Sequence, residues 1–184
     1  TCVVPSKVLA ETARLFTSSK ELLEISVSEE TPLAIFKCGD VVLTTTLIEG
    51  DFPDYKKLIP SEEKLTTSAT FLSKDFEKAL RLANVFAKET TNIVKLKVDS
   101  DKEVLYVSSS SVELGENKSA VTAEVEGKDV ETSFNSKFIM EVLSNVKREK
   151  FTLHFPEKVG ATSPALIKAP DDVSFTALIM PLQV

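Results

Sequence analysis

Ser136-Lys137-Phe138-Ile139-Met140-Glu141-Val142-Leu143-Ser144-Asn145-Val146 decides the fold, because the chain carries an earlier version of it. Positions 138, 139, 142, 143 and 146 form one face at helical spacing. Displaced by 130 residues, the same five positions hold Val8, Leu9, Thr12, Ala13 and Phe16, and Ser6, Lys7 and Glu11 recur as Ser136, Lys137 and Glu141. Each stretch reads as an amphipathic helix, the earlier one with Ser6 at its N-cap. The echo continues through the strands behind each helix. Glu21, Leu23, Ile25, Val27 and Glu29 match Glu149, Phe151, Leu153, Phe155 and Glu157 at a shift of 128. Pro32, Ile35, Asp40, Val41 and Thr44 match Pro164, Ile167, Asp172, Val173 and Thr176 at a shift of 132. Helix phase, strand phase and turn residues do not coincide together by chance, so this is an internal repeat.

Around it the remaining elements fall into place. Glu21–Ser28, Leu33–Lys37 and Val41–Ile48 alternate as strands behind the first helix, with turns at Thr31-Pro32 and Gly39-Asp40. Leu65–Phe71 is a strand, Ser73 caps a helix running to about Lys88, and strands follow at Ile93–Val98, Val104–Ser108, Ser119–Glu126 and Val130–Phe134. The fold class is α+β, with repeated halves of one helix and an antiparallel sheet, helices on one face of the sheets. Residues 59–184 hold two halves and residues 1–58 only the second of two. The expected organisation is the back half of one domain (1–58), truncated, followed by a complete one (59–184).

Between them lies Leu47-Ile48-Glu49-Gly50-Asp51-Phe52-Pro53-Asp54-Tyr55-Lys56-Lys57-Leu58-Ile59-Pro60. Pro53 and Pro60 bias the residues before them toward extended backbone, and Gly50 admits a positive φ. With Phe52, Tyr55, Leu58 and Ile59 as apolar anchors, this is an ordered joint. Leu47 and Ile48 match Ile179 and Met180, so the joint starts where the second copy reaches its tail.

Composition narrows the function. The chain of 184 residues is 42% hydrophobic and 27% charged, ordinary for a globular protein. The opening on Thr1 rather than Met suggests a chain processed or cut from something longer. Cys2 and Cys38 make no disulfide framework or metal spacing and read as buried or half-buried thiols in a reducing compartment. Net charge is −6, which on its face argues against nucleic acid. Its distribution argues otherwise. The stretches 6–17, 73–88 and 136–148 carry nine Lys and Arg against four Asp and Glu, while the remainder carries thirteen against twenty-four. A solvated amphipathic face explains any single such helix. Three basic helices on an acidic protein suit one that surrounds a polyanion and repels it elsewhere, through salt-sensitive phosphate contacts.

The residues now resemble a known family, the bacterial DNA polymerase III β subunit or sliding clamp. The resemblance is carried by Val4-Pro5-Ser6-Lys7, Gly50-Asp51-Phe52-Pro53-Asp54-Tyr55 with Leu58-Ile59-Pro60, Phe134-Asn135-Ser136-Lys137-Phe138 and the ending Ile179-Met180-Pro181-Leu182. It implies a DNA-clamp fold, a ring closed by two subunits around double-stranded DNA without sequence specificity, and a processivity factor rather than an enzyme. It also implies a cytoplasmic, nucleoid-associated protein with no cofactor and no membrane partner. Three surfaces follow from it. A groove for short hydrophobic peptides of polymerases, the clamp loader and repair proteins would use Pro53, Lys57, Leu58, Leu178, Ile179, Met180, Pro181 and Leu182. Core or linker packing is the alternative for those residues. The subunit interface would use Lys78, Leu82, Glu113 and Glu116. The DNA-facing stripe would be Lys7, Arg14, Lys74, Arg81, Lys88, Lys137 and Lys147.

The competing function is a small metal-dependent hydrolase or nuclease. His154 in Phe151-Thr152-Leu153-His154-Phe155 is expected to face solvent and has no matched nucleophile. Asp171-Asp172 and Asp99-Ser100-Asp101 read as turn chemistry. No phosphate loop, nucleophile elbow or metal-ligand spacing occurs in the sequence.

Overall fold

The computed structural model describes residues 2–28, 30–52, 54–87, 91–157 and 163–182. The chain forms two compact units, Thr1–Asp54 and Tyr55–Val184.

In the first unit, helix α1 (Ser6–Phe16) precedes strands β1 (Glu24–Val27), β2 (Leu33–Cys38) and β3 (Val41–Thr46), paired antiparallel in the order β1-β2-β3. An isolated bridge joins Val3 to Ile48 beyond β3. Ala34, Phe36 and Cys38 alternate along β2 and are buried, as is Thr12 on α1. The core is small. Leu9 and Leu15 on α1, Leu23 just before β1, and Ile25 and Val27 on β1 remain exposed. The expected apolar face of α1 therefore holds only in part: Thr12 is the buried position and Ala13 is exposed. Thr12 is tolerated inside because its Oγ1 donates to the Val8 carbonyl at 2.8 Å.

The second unit begins with β4 (Leu65–Leu72), α2 (Ser73–Ala87), β5 (Ile93–Asp99), β6 (Val104–Ser111) and β7 (Gly115–Glu126). It repeats the plan with β8 (Val130–Asn135), α3 (Ser136–Asn145), β9 (Lys150–Pro156), β10 (Ala165–Ala169) and β11 (Asp172–Ile179). Strand order is β11-β10-β9-β4-β7-β6-β5-β8, with every pair antiparallel. The two halves exchange first strands. β4 of the front half pairs with β9 of the back half, and β8 of the back half pairs with β5 of the front. Inner positions of both halves (Phe71, Leu96, Val107, Phe134, Phe151, Leu153, Phe155, Ile167) and helix residues Phe76, Leu80, Ile139 and Leu143 form one buried cluster. Each such side chain contributes about 1.5–3 kcal/mol on leaving water. Small residues at Ala79, Ala83 and Ala87 bring α2 close to the sheet, and Phe71 and Phe76 meet with ring centroids 4.3 Å apart.

Four sequence expectations are corrected. Ser6 and Ser73 are first helical residues, not N-caps, and Pro5 precedes α1. Ser136 likewise opens α3, which Asn135 caps by accepting from the Lys137 amide. Ser136 is buried, donating to the Asn92 carbonyl at 3.0 Å. The repeat also drifts differently. Ile25 lies opposite Phe36, whereas Leu153 lies opposite Ile167, so Phe36 corresponds to Ile167 at a shift of 131, not Ile35 at 132. Likewise Phe36 faces Leu43 and Ile167 faces Ala177, a shift of 134 in the last strand. A one-residue slip would have turned every side chain to the other face of the sheet. The bridges Val3–Ile48 and Ser133–Leu182 then align Ile48 with Leu182, not Met180. Finally, Cys2 is exposed rather than half-buried, while Cys38 is buried, and both are free thiols.

Candidate functional site

The tail of the second unit is built by strand parity. Along β11 alternate residues turn inward, so Ile179 is buried against the core opposite Ala165, and Leu178 is only partly covered. Beyond the strand Met180 and Leu182 are exposed while Pro181 is buried. The Leu182 amide donates to the Ser133 carbonyl at 2.8 Å, which pins the tail to β8. Of the tail residues expected in the peptide groove, Met180 and Leu182 thus offer free apolar surface, and Ile179 and Pro181 fill the interior beneath it. At the start of this unit a short 3-10 turn, Tyr55–Lys57, presents Leu58 and Ile59. Their amides bond back to the Tyr55 carbonyl at 3.0 and 3.3 Å, leaving both side chains exposed. Pro53 lies outside the described residues. Ile59, exposed beside Leu58, reads in the sequence as an apolar anchor of the joint and is not among the expected groove residues.

The cationic residues emerge from the helices as the periodicity predicts. On α2, Lys74, Lys78 and Arg81 are exposed opposite buried Phe76, Leu80 and Ala83. Lys7 and Arg14 on α1 and Lys137 on α3 are exposed as well. Lys88 lies outside the described residues. α3 ends at Asn145, so Lys147 sits in the connection to β9, not on the helix as expected. Ser144 Oγ and Asn145 Nδ2 both donate to the Glu141 carbonyl, occupying the last turn. α2 and α3 lie side by side, and Lys74 and Lys147 line one open depression of about 520 Å³ together with Leu143, Asp75 and Glu77.

Not every cation in the stripe is uncommitted. Arg81 Nε donates to Glu77 at 3.0 Å, and Arg14 is paired with Glu11 one turn away. The Arg14 hydrogen bond holds the Glu11 carboxyl below its ordinary value, and Glu11 in turn raises the arginine. Arg148 lines the same depression as Lys74 and Lys147 but is paired with Asp172, at 2.7 Å, and Asp171, at 3.8 Å. Asp172 is held below the usual carboxylate range first by the Ser174 hydroxyl and then by Arg148. These pairs are solvent-exposed and each is worth little in water.

The expected interface residues are brought together only in part: Glu116, across from Ser110, lines the outer face of the sheet with Lys95 and Tyr106, away from α2. Lys78 and Leu82 are exposed on α2, and Glu113 and Glu116 are exposed at the β6–β7 hairpin. Buried Ser109 Oγ donates to the Ala83 carbonyl at 2.7 Å, setting this hairpin beside the part of α2 that carries Leu82. Ser111 Oγ accepts from the Glu113 and Leu114 amides at 3.2 and 3.1 Å and shapes the turn. Val85, Val112 and Leu114, which the sequence reading did not single out, are exposed on the same elements. Val85 lies one turn beyond Leu82, and that spacing could have found it.

His154 is half-buried on the outer sheet face, across from Ser68, and lines a shallow depression with Thr152, Lys168 and Glu62. Burial, then the Lys168 charge, lowers its pKa. Among the described residues no group of three or more His, Cys, Asp or Glu could hold a metal ion, and the metal-dependent hydrolase reading gains no support. No helix among the described residues is long and apolar enough to cross a membrane.

Comparison with known proteins agrees with the fold. Residues 1–54 match the model for the DNA polymerase III beta subunit, central domain, and residues 56–183 match the model for its C-terminal domain. The beta sliding clamp of Bacillus subtilis (strain 168) is 31% identical over 183 residues, 98% of this chain and 46% of that protein. The DNA polymerase III beta chain of Streptococcus pneumoniae TIGR4 superimposes with a TM-score of 0.85 at 27% identity, covering 100% of this chain and 47% of that one. The beta sliding clamp of C. crescentus, crystallised with polyethylene glycol, gives a TM-score of 0.83 at 27% identity over the same shares. This chain spans about half the length of the relatives it matches. Matched to two successive domain models and built of the same repeated half, the chain belongs to the DNA polymerase III beta subunit family.

Proposed function

We propose that this chain works as part of a DNA sliding clamp, a processivity factor that binds partners and catalyses nothing. In this reading residues 1–58 act as the back half of the middle clamp domain and 59–184 as the whole third domain. In the intact protein two subunits close a ring around duplex DNA in the cytoplasm, through the Lys78, Leu82, Glu113 and Glu116 surface. Val85, Val112 and Leu114 extend that surface with apolar area. Lys7, Arg14, Lys74, Arg81, Lys137 and Lys147 face the phosphates. Polymerases, the clamp loader and repair proteins attach by short peptides to an apolar surface of Leu58, Met180 and Leu182, with Lys57 and Leu178 at its margins. Processivity then comes from tethering, which raises local concentration without chemistry.

The observation that carries the reading is the exposed Met180 and Leu182 on a tail pinned at Ser133, in a unit that matches the family's C-terminal domain. An unbranched thioether and a leucine make an adaptable apolar seat for a partner's side chains. A fluorescent peptide led by Gln and ending in hydrophobic residues tests it. Binding is expected, and Leu58→Ala with Met180→Ala is expected to abolish it; an isotherm unchanged by the double substitution overturns the assignment.

A further inference from the structure

The outer face of the second unit's sheet, opposite the buried core, carries two shallow depressions of contrasting charge. One, of about 440 Å³, lies over β4, β9 and β10 and gathers Glu62, Glu124, Glu126 and Asp172 against Lys168 and His154. The other, of about 420 Å³, lies over β5 to β8 and gathers Lys95, Lys97 and Lys118 against Glu116 and Glu131. This second depression is continuous with the tail. Leu182 is bridged to Ser133, Ser133 lies opposite Lys95, Lys95 opposite Ser108, and Ser108 opposite Lys118. Directly opposed residues turn to the same face, so these five form one row that starts at Leu182. The row dips at its serines: Ser133 is buried and Ser108 half-buried, while Lys95 and Lys118 stand exposed. Lys97 stands beside the row, across from Tyr106, and forms no ion pair among the described residues. Small hydroxyl side chains walled by ammonium groups make a seat for an extended chain that carries carboxylates.

We propose that a partner peptide anchored on Met180 and Leu182 continues across this outer face, and that its flanking residues are acidic. The inference rests on the peptide-binding role given to the tail above and names the chemistry of what lies beyond the hydrophobic anchor. Strand spacing of about 4.8 Å puts Lys95 about 10 Å and Lys118 about 19 Å from Leu182 along the row. An extended chain advances about 3.3 Å per residue, so the carboxylates belong roughly three to six residues from the side chain seated on Leu182. The chain as a whole has a net charge of −6 and the neighbouring depression is acidic, so such a segment is repelled elsewhere and held here. Single-stranded nucleic acid suits the face less well. The Tyr106 ring on which a base would stack is half-buried and already covered by Lys118, whose Nζ is 4.3 Å from the ring centroid.

The test uses the Gln-led hydrophobic peptide bare and in versions with glutamates three to six residues beyond the anchor, at the N-terminal or the C-terminal end. Each Glu version is matched by one with glutamines at the same places, so a weakened anchor seat cancels from the ratio. At low salt one Glu version should bind about fivefold tighter than its match, the size of two exposed ion pairs. In Lys97→Glu with Lys118→Glu that gain should vanish or invert, and in Lys168→Glu it should remain. No gain at either end, or a gain that survives the double reversal, overturns the proposal and leaves the groove standing. A bare peptide that does not bind at all overturns the groove, and this inference with it. An oligo(dT) that binds the chain and is lost in the double variant, while no Glu version gains, assigns the face to single-stranded nucleic acid instead.

Discussion

Leu9 and Ile139 hold the same position in two copies of one helix, yet Ile139 is fully buried and Leu9 is nearly half exposed. The difference lies in what each helix meets. α3 lies against α2, while α1 is the one helix among the described residues of the first unit. Ile139→Ala should therefore destabilise the second unit by about 3 kcal/mol, transfer loss and residual cavity together. Leu9→Ala should cost the first unit less than about 1 kcal/mol. Chemical denaturation of the two variants checks this; equal losses would contradict the burial pattern.

Two glycines separate strain from crowding. Gly127, between β7 and β8, has φ +101°, and a Cβ there would sit 2.1 Å from the Thr66 carbonyl oxygen. Gly50 has φ +108°, but nothing lies within 4 Å of its added Cβ. Gly127→Ala should cost about 3 kcal/mol or more and Gly50→Ala about 1 kcal/mol. Thermal unfolding of both variants measures the contrast.

His154 carries the one resolved imidazole shift, downward, through burial and the Lys168 charge. A folded-state pKa below the unfolded value of about 6.5 means the stability it contributes is present above that value. It is lost as pH falls through the lower, folded pKa. Lys168→Gln leaves Glu62 nearby and should move the titration upward, as read by NMR of the His154 ring protons. A midpoint that stays in place would show that Lys168 does not act on it.

Lys74 and Lys147 share a depression, and neither forms an ion pair among the described residues. Charge reversal of both should weaken the binding of duplex DNA at low salt, independent of sequence. The log–log salt dependence should shallow by about 0.9 for each phosphate no longer neutralised. Reversing Lys128 in the β7–β8 turn should leave that slope unchanged, and filter binding across a salt series distinguishes the two.

Much of this was legible in the residues. The repeat, the succession of helix and strands in each half and the basic side of α2 follow from spacing, because apolar periodicity is what buries Phe76, Leu80 and Ala83. What escaped were one-residue matters. Ile35 and Phe36 are both apolar, so composition could not say which faces inward; pairing register did. Ile179 and Pro181 belong to the apolar tail, but strand parity and the Ser133 bond turn them inside while Met180 stays out. Thr12 reads as a flaw in an apolar face until its hydroxyl finds the Val8 carbonyl. Leu9, Ile25 and Val27 read as core because their counterparts are core, but residues 1–58 hold only one half of the repeat, and among the described residues no second half lies against them.

The tail surface can be tested with an internal control, because the chain has two methionines, exposed Met180 and partly buried Met140 on α3. With both methyl groups labelled, the Gln-led hydrophobic peptide should shift and broaden the Met180 signal in a saturable manner and leave Met140 in place. A Met180 signal that does not move at peptide concentrations that saturate binding would contradict the account.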